Sequence, residues 1–121
     1  MLEKAFAKFY GNYSHIEAGS PPEAVSILNG GPYEIVIHSK STQEAIWARL
    51  VESERGHHMM IANTPGTSDS EKNADGLVQS HAYSVMGTHT LSDGVRLVKL
   101  RNPWGRDSFH GRWSDQSELW T

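Results

Sequence analysis

The sequence of 121 residues contains no cysteine. This absence excludes disulfide bonds, thiolate metal sites and a thiol nucleophile from the chain, and it fits an intracellular protein. Basic residues are not in excess either, because 11 Lys and Arg against 14 Asp and Glu give a net charge of −3, which argues against nucleic-acid binding. No apolar run approaches the roughly 20 residues of a membrane-spanning helix. The length and composition predict one globular domain over residues 1–121.

Three helices are predicted in the first half of the chain. Apolar residues recur at helical spacing in three segments, which end at Gly11, at residues 29–31 and at Gly56. The second segment also carries a capping box, with Ser20 as the cap and Glu23 three residues later. These signals predict three amphipathic helices joined by short glycine-containing breaks.

The last third of the chain is predicted to be β structure. Residues 57–62, 81–90 and 95–102 are predicted strands, and an Asp-Gly pair at 93–94 indicates a hairpin between the last two. The polar segment 63–76 is predicted to be a mobile surface loop. Helices followed by strands predict an α+β fold, with about three helices packed on a mostly antiparallel β-sheet.

The predicted hairpin brings a histidine and an asparagine together. His81 lies ten residues before the turn residue Leu91, and Asn102 lies eight residues after Gly94. In an antiparallel pair these positions face each other to within about two residues, or one bulge. The Asn102 carbonyl can then accept a hydrogen bond from the imidazole and fix its tautomer, which leaves the other ring nitrogen free to exchange a proton. This pair is half of a nucleophile, base and orienting-residue arrangement.

The sequence around this pair resembles that of the calpain family of papain-like cysteine peptidases. The segments that carry the resemblance are GLVQSHAYSV at 76–85, RNPWG at 101–105 and GRWSD at 111–115, and upstream LEKAFAKFYGNY at 2–13 and NGG at 29–31. The resemblance implies that residues 1–121 are the second subdomain of a calpain-type protease core, truncated at its C-terminus, with the fold of a papain-like half-domain.

The resemblance also implies a role for three side chains. His81 would be the general base that pairs as imidazolium with a cysteine thiolate, Asn102 would orient it, and Trp104 would shield their hydrogen bond and line the cleft. The family's nucleophilic cysteine belongs to a first subdomain of the same polypeptide, which would be the partner of this chain. We therefore expect the isolated chain to be inactive, and the His81–Asn102 hydrogen bond to be loose without that partner.

The function implied is intracellular, cytoplasmic, limited proteolysis of protein substrates by a calcium-dependent cysteine endopeptidase. Two departures from the family pattern stand out: Ser80 where the family usually has glycine, and Ser108 where a glutamate is expected. Ser80 is tolerable if the backbone there is extended. Asp115 matches one calcium-ligand position, but one carboxylate and a serine are a poor set for an ion that prefers six to eight oxygens, so we expect no tight calcium site.

An alternative belongs to a different functional class. A catalytically dead calpain-like module, used for regulation or protein binding, could keep both His81 and Asn102 while its nucleophile position holds another residue. Nothing within residues 1–121 separates this alternative from a working peptidase.

Overall fold

The structure, a computed structural model, describes residues 1–120. The chain divides into two compact units, one formed by Met1–Ile37 and a second that begins at His38.

The first unit is helical. Helix α1 spans Leu2–Phe9 and helix α2 spans Pro21–Asn29, with a short 3₁₀ turn at Tyr13–Ile16 between them. Two of the three predicted helices are thus confirmed here. Residue Gly30 ends α2 in the left-handed conformation, at φ 68°. The predicted capping box is wrong in its chemistry: Ser20 occupies the N-cap, but its side chain makes no capping hydrogen bond.

A tyrosine links the end of α1 to the start of α2. The Tyr10 hydroxyl donates a hydrogen bond of 3.1 Å to Glu23 Oε1. Loss of hydration around this hydroxyl, followed by the hydrogen bond and the charge of Glu23, raises the pKa of Tyr10 above its ordinary value. Glu23 therefore bonds to another helix rather than to the cap of its own.

The second unit contains the third helix and the sheet. Helix α3 spans Gln43–Arg55, and its N-cap Thr42 accepts a hydrogen bond from the Ala45 N–H. Strands β1, β2 and β3 span Met60–Asn63, Ala82–Thr90 and Arg96–Arg101. They form an antiparallel sheet in the order β1-β2-β3. Together with the helices, this sheet confirms the predicted α+β class.

The β2–β3 hairpin contains one bulge. Its turn is closed by a hydrogen bond of 2.8 Å from the Leu91 N–H to the Val95 carbonyl. Val85 pairs with Leu100 and Gly87 pairs with Lys99, which leaves Met86 as the extra residue of β2. A single bulge agrees with the expected offset between His81 and Asn102, and it sets which residues meet at the open end of the hairpin.

The segment between β1 and β2 is irregular but hydrogen-bonded. Asn63, the first residue of the predicted loop, is the last residue of β1. Lys72 and Val78 form an isolated antiparallel bridge, and the Ser80 N–H donates to the Pro65 carbonyl at 3.0 Å. The mobility of residues 63–76 stays a prediction. No helix among the described residues has both the length and the apolar character that crossing a membrane requires.

Helix α3 is joined to β2 by a glutamate. The Glu54 carboxylate accepts hydrogen bonds from the Thr88 backbone N–H at 3.0 Å and from the Thr88 hydroxyl. The neighbouring Gly87 makes room for it, because a Cβ atom there would lie 2.8 Å from Glu54 Oε1. A charged acceptor bonded to a strand backbone fixes the helix at one position along the sheet.

Replacing this carboxylate is expected to destabilise the protein. Glu54→Ala removes the acceptor of the partly buried Thr88 N–H and should lower the free energy of unfolding by about 1–3 kcal/mol. The matched control is Glu52→Ala on the same helix, because the exposed Glu52 forms a surface ion pair with Arg49, three residues away, and its loss should change stability by less than about 0.5 kcal/mol. Urea denaturation followed by tryptophan fluorescence measures both. Equal effects of the two variants would contradict this role.

Candidate active site

The structure brings His81 and Asn102 together at the open end of the hairpin. His81 immediately precedes β2 and Asn102 immediately follows β3. The distance from His81 Nε2 to Asn102 Oδ1 is 2.9 Å. This is an ordinary hydrogen-bond length, so the expectation of a loose bond is wrong: both residues are set by the hairpin of this chain.

The tautomer of His81 follows from a second hydrogen bond to the same oxygen. Asn102 Oδ1 also accepts from the backbone N–H of Trp104 at 3.1 Å. A backbone N–H can only donate, so the oxygen of the amide must face this point, and His81 Nε2 must donate to it. In the neutral ring Nδ1 then carries no proton and is free to accept one. Nδ1 makes no hydrogen bond within the described part of the chain.

Two aromatic rings enclose the imidazole. The Trp104 ring lies 4.5 Å from the His81 ring, centroid to centroid, and the Tyr83 ring lies 4.9 Å away, edge-on at 89°. Asn102 is 8% exposed, whereas Trp104 is 44% exposed. The hydrogen bond is therefore partly shielded from water, which strengthens it, while Trp104 is itself partly exposed.

Two hydroxyl groups that the sequence did not single out hold the backbone next to His81. The Tyr83 hydroxyl accepts from the N–H of Val78, and the Thr64 hydroxyl donates to the Val78 carbonyl and accepts from the His81 N–H. Tyr83 belongs to the HAYSV segment and could have been noticed there. Thr64 lies in the polar segment 63–76, and no local signal marks it.

Ser80 has a conformation different from the one expected. Its φ is +46°, in the left-handed region, so the extended backbone assumed for a tolerable serine is not present. This conformation explains physically why glycine suits the position, since a side chain there costs about 1–2 kcal/mol. The Ser80 side chain is exposed, so the cost comes from the backbone and not from a steric clash in the site.

The two residues tied to calcium have different surroundings. Asp115 is exposed, and the Ser108 hydroxyl donates to the Gly76 carbonyl at 2.8 Å. The described residues include no group of three or more His, Asp or Glu side chains placed to hold an ion. Calcium needs more oxygen ligands than these residues offer, so the donor set present does not fit this ion.

Comparison with known proteins agrees with the geometry. A family model described as calpain family cysteine protease matches residues 1–121. The chain is 38% identical over 128 residues to the calpain-type cysteine protease DEK1 of Arabidopsis thaliana, and 37% identical over 123 residues to calpain-12 of Mus musculus. The chain therefore belongs to the calpain family of cysteine proteases, and the resemblance noted in its sequence is confirmed.

The chain is a small part of these relatives. The alignments cover 100% and 99% of this chain, but only 6% of the Arabidopsis protein and 17% of the mouse protein. The relatives are therefore much larger polypeptides. What this chain contributes to catalysis must be inferred from its own residues.

Relieving the backbone strain at Ser80 is expected to stabilise the protein. Ser80→Gly should raise the free energy of unfolding by up to about 1 kcal/mol, because glycine adopts φ +46° without steric cost. The control Ser84→Gly, at an exposed position in β2, should lower it by about 0.5–1 kcal/mol because glycine weakens a strand. Chemical denaturation of both variants measures the change in the free energy of unfolding. Changes of the same sign in the two variants would contradict backbone strain at Ser80.

Proposed function

We propose that this chain is the His/Asn half of the active site of a calcium-dependent, calpain-type cysteine endopeptidase that carries out limited proteolysis in the cytoplasm. One observation carries the proposal: His81 Nε2 is bonded to Asn102 Oδ1 at 2.9 Å while Nδ1 is left free. Such a ring is prepared to take a proton from a nucleophile. The family supplies the nucleophile class, and because this chain contains no cysteine, the proposal requires the nucleophile to come from another part of the polypeptide.

The first half of the reaction cleaves the peptide bond. His81 Nδ1 takes the proton of the cysteine thiol and becomes imidazolium, and its charge stabilises the thiolate. The thiolate sulfur then bonds to the peptide carbonyl carbon. When the C–N bond breaks, Nδ1 gives its proton to the leaving amine, and a thioester remains. Throughout, Asn102 Oδ1 accepts a hydrogen bond from the Nε2–H group, which keeps its proton, and this bond keeps Nδ1 aimed at the reacting atoms.

The second half releases the acid. His81 Nδ1 takes a proton from water, whose oxygen bonds to the thioester carbon while the C–S bond breaks. The imidazolium and thiolate that remain are the starting pair of the next cycle. Trp104 covers the His81–Asn102 bond during both halves. These steps use only side chains, the peptide and water.

Removal of the imidazole is expected to abolish proteolysis by the full-length protein. His81→Ala should lower kcat by at least about 10³-fold, since both proton transfers are lost. Asn102→Ala should have a smaller effect, because it loosens the ring without removing it. The matched control is His89→Ala, which removes an exposed histidine of the adjoining strand β2 and should leave activity unchanged. Hydrolysis of a casein substrate measures all three.

A full-length His81→Ala variant that still cleaves casein would overturn this proposal. An inactive wild-type protein whose nucleophile position is not cysteine would instead establish the alternative, a catalytically dead module with a regulatory or protein-binding role. The residue at that position, read from the upstream sequence, and labelling of the full-length protein by a thiol-reactive peptide epoxide distinguish the two.

The isolated chain of 121 residues is expected to show no peptidase activity. It contains a base and an orienting residue but no cysteine, so no acyl intermediate can form on it. The measurement is hydrolysis of a fluorogenic peptide, with the full-length protein as the positive control. Turnover by the isolated chain that disappears in its His81→Ala variant would contradict this expectation, because it would demand a different nucleophile within the chain.

A further inference from the structure

Thr64 makes three hydrogen bonds to the segment that carries His81. Its backbone N–H donates to the His81 carbonyl at 2.9 Å, and its hydroxyl oxygen accepts from the His81 N–H at 3.1 Å. The hydroxyl proton can reach two carbonyl oxygens, that of Val78 at 2.7 Å and that of His81 at 3.2 Å, and we assign it to the shorter contact with Val78. One threonine thus satisfies both backbone groups of His81 and one of Val78, across 17 residues of sequence.

In this arrangement a side chain replaces one of the two backbone hydrogen bonds that would pair Thr64 with His81 in a regular sheet. The regular β1–β2 ladder ends at the pair Asn63 and Ala82. In a regular continuation, the His81 N–H would bond to a backbone carbonyl of the neighbouring strand. Here the Thr64 hydroxyl takes the place of that carbonyl and also reaches Val78. The bonds from Thr64 therefore hold His81 in line with β2 although it lies outside the strand.

The backbone before His81 needs such an anchor. Ser80 at φ +46° turns the chain sharply just ahead of the imidazole, and a strained residue keeps its conformation only where its surroundings fix it. Val78, which is 1% exposed, is fixed at its N–H by the Tyr83 hydroxyl and at its carbonyl by Thr64. Both ends of the segment 78–81 thus depend on the Thr64 hydroxyl.

We propose that Thr64 is a positioning residue for the general base: its hydroxyl holds the His81 backbone so that Nδ1 meets the cysteine at the productive distance. This inference rests on the function proposed above. Asn102 fixes the ring from the β3 side and Thr64 fixes the main chain from the β1 side. Two anchors on different strands restrict the ring more than either does alone, and a displacement of about 1 Å can cost about 100-fold in rate.

The test compares two substitutions in the full-length protein. Thr64→Val keeps the shape of the side chain but removes the hydroxyl, and should lower kcat by about 10- to 100-fold with KM changed by less than about 3-fold, since Thr64 makes no contact that the mechanism assigns to substrate. Thr64→Ser restores a hydroxyl and should recover kcat to within about 3-fold of wild type. The matched control Thr90→Val, at an exposed position in β2, should change neither constant.

A second readout separates positioning from general stability. The rate at which iodoacetamide alkylates the nucleophile, followed from pH 5 to pH 9, reports the thiolate that His81 stabilises. In Thr64→Val the acid limb of this profile should move to higher pH, because a displaced imidazolium stabilises the thiolate less. All rates are divided by the folded fraction from tryptophan fluorescence, so that partial unfolding does not imitate the effect.

The outcomes distinguish this inference from the proposed function. Wild-type kcat and an unmoved alkylation profile in folded Thr64→Val, beside an inactive His81→Ala, would overturn the role of Thr64 alone. A Thr64→Ser variant as slow as Thr64→Val would do the same, because the hydroxyl would then not be the group that matters. An active His81→Ala variant would overturn both proposals.

Discussion

The oxygen of the Asn102 side chain accepts hydrogen bonds from both His81 Nε2 and the Trp104 backbone N–H, and the rest of the site depends on its position. That position is set by the register of β2 against β3. Continuing the pairing of Ser84 with Arg101 by one residue brings Asn102 opposite Tyr83, with His81 on the same face two residues away. Without the extra residue Met86 the register would shift by one, and the side chains before it would point to the other face of the sheet. The bulge is thus a condition for the His81–Asn102 contact.

The best-buried part of the second unit coincides with the site. Val78 and Tyr83 are 1% and 3% exposed, and Asn102 is a buried polar residue beside them. Each is bonded: Val78 to the Tyr83 and Thr64 hydroxyls, and Asn102 to His81 and Trp104. Fully paired buried polar groups specify one geometry, because any alternative leaves a donor or acceptor unpaired at a cost of about 1–3 kcal/mol. The same hydrogen bonds therefore fix the position of the imidazole and stabilise this region.

The parts of the fold and site that could be predicted are those encoded locally. Asp93 and Gly94 indicate the hairpin. The positions of His81 and Asn102 relative to its turn follow from counting residues along the two strands. The contact of Thr64 with His81 is not local, since 17 residues separate them and the intervening polar segment is typical of a surface loop. The conformation of Ser80 could not be predicted for the same reason: it follows from bonds to Pro65 and its neighbours, and not from the preference of serine. Glu23 is the opposite case. The local sequence predicts that it takes part in a capping box, but its carboxylate instead accepts a tertiary hydrogen bond from Tyr10.

The strain at Ser80 bears on the choice between a working peptidase and a dead module. A serine where the family usually has glycine could be taken as decay of the site. The backbone nevertheless adopts the left-handed φ of +46° that glycine favours, held by the Ser80 N–H bond to Pro65 and by the Thr64 bond to His81. Ser80 is exposed, and the 2.9 Å bond between His81 and Asn102 is of ordinary length. The substitution therefore lowers stability by up to about 1 kcal/mol while the His81–Asn102 hydrogen bond is kept, and it gives no support to the loss of activity.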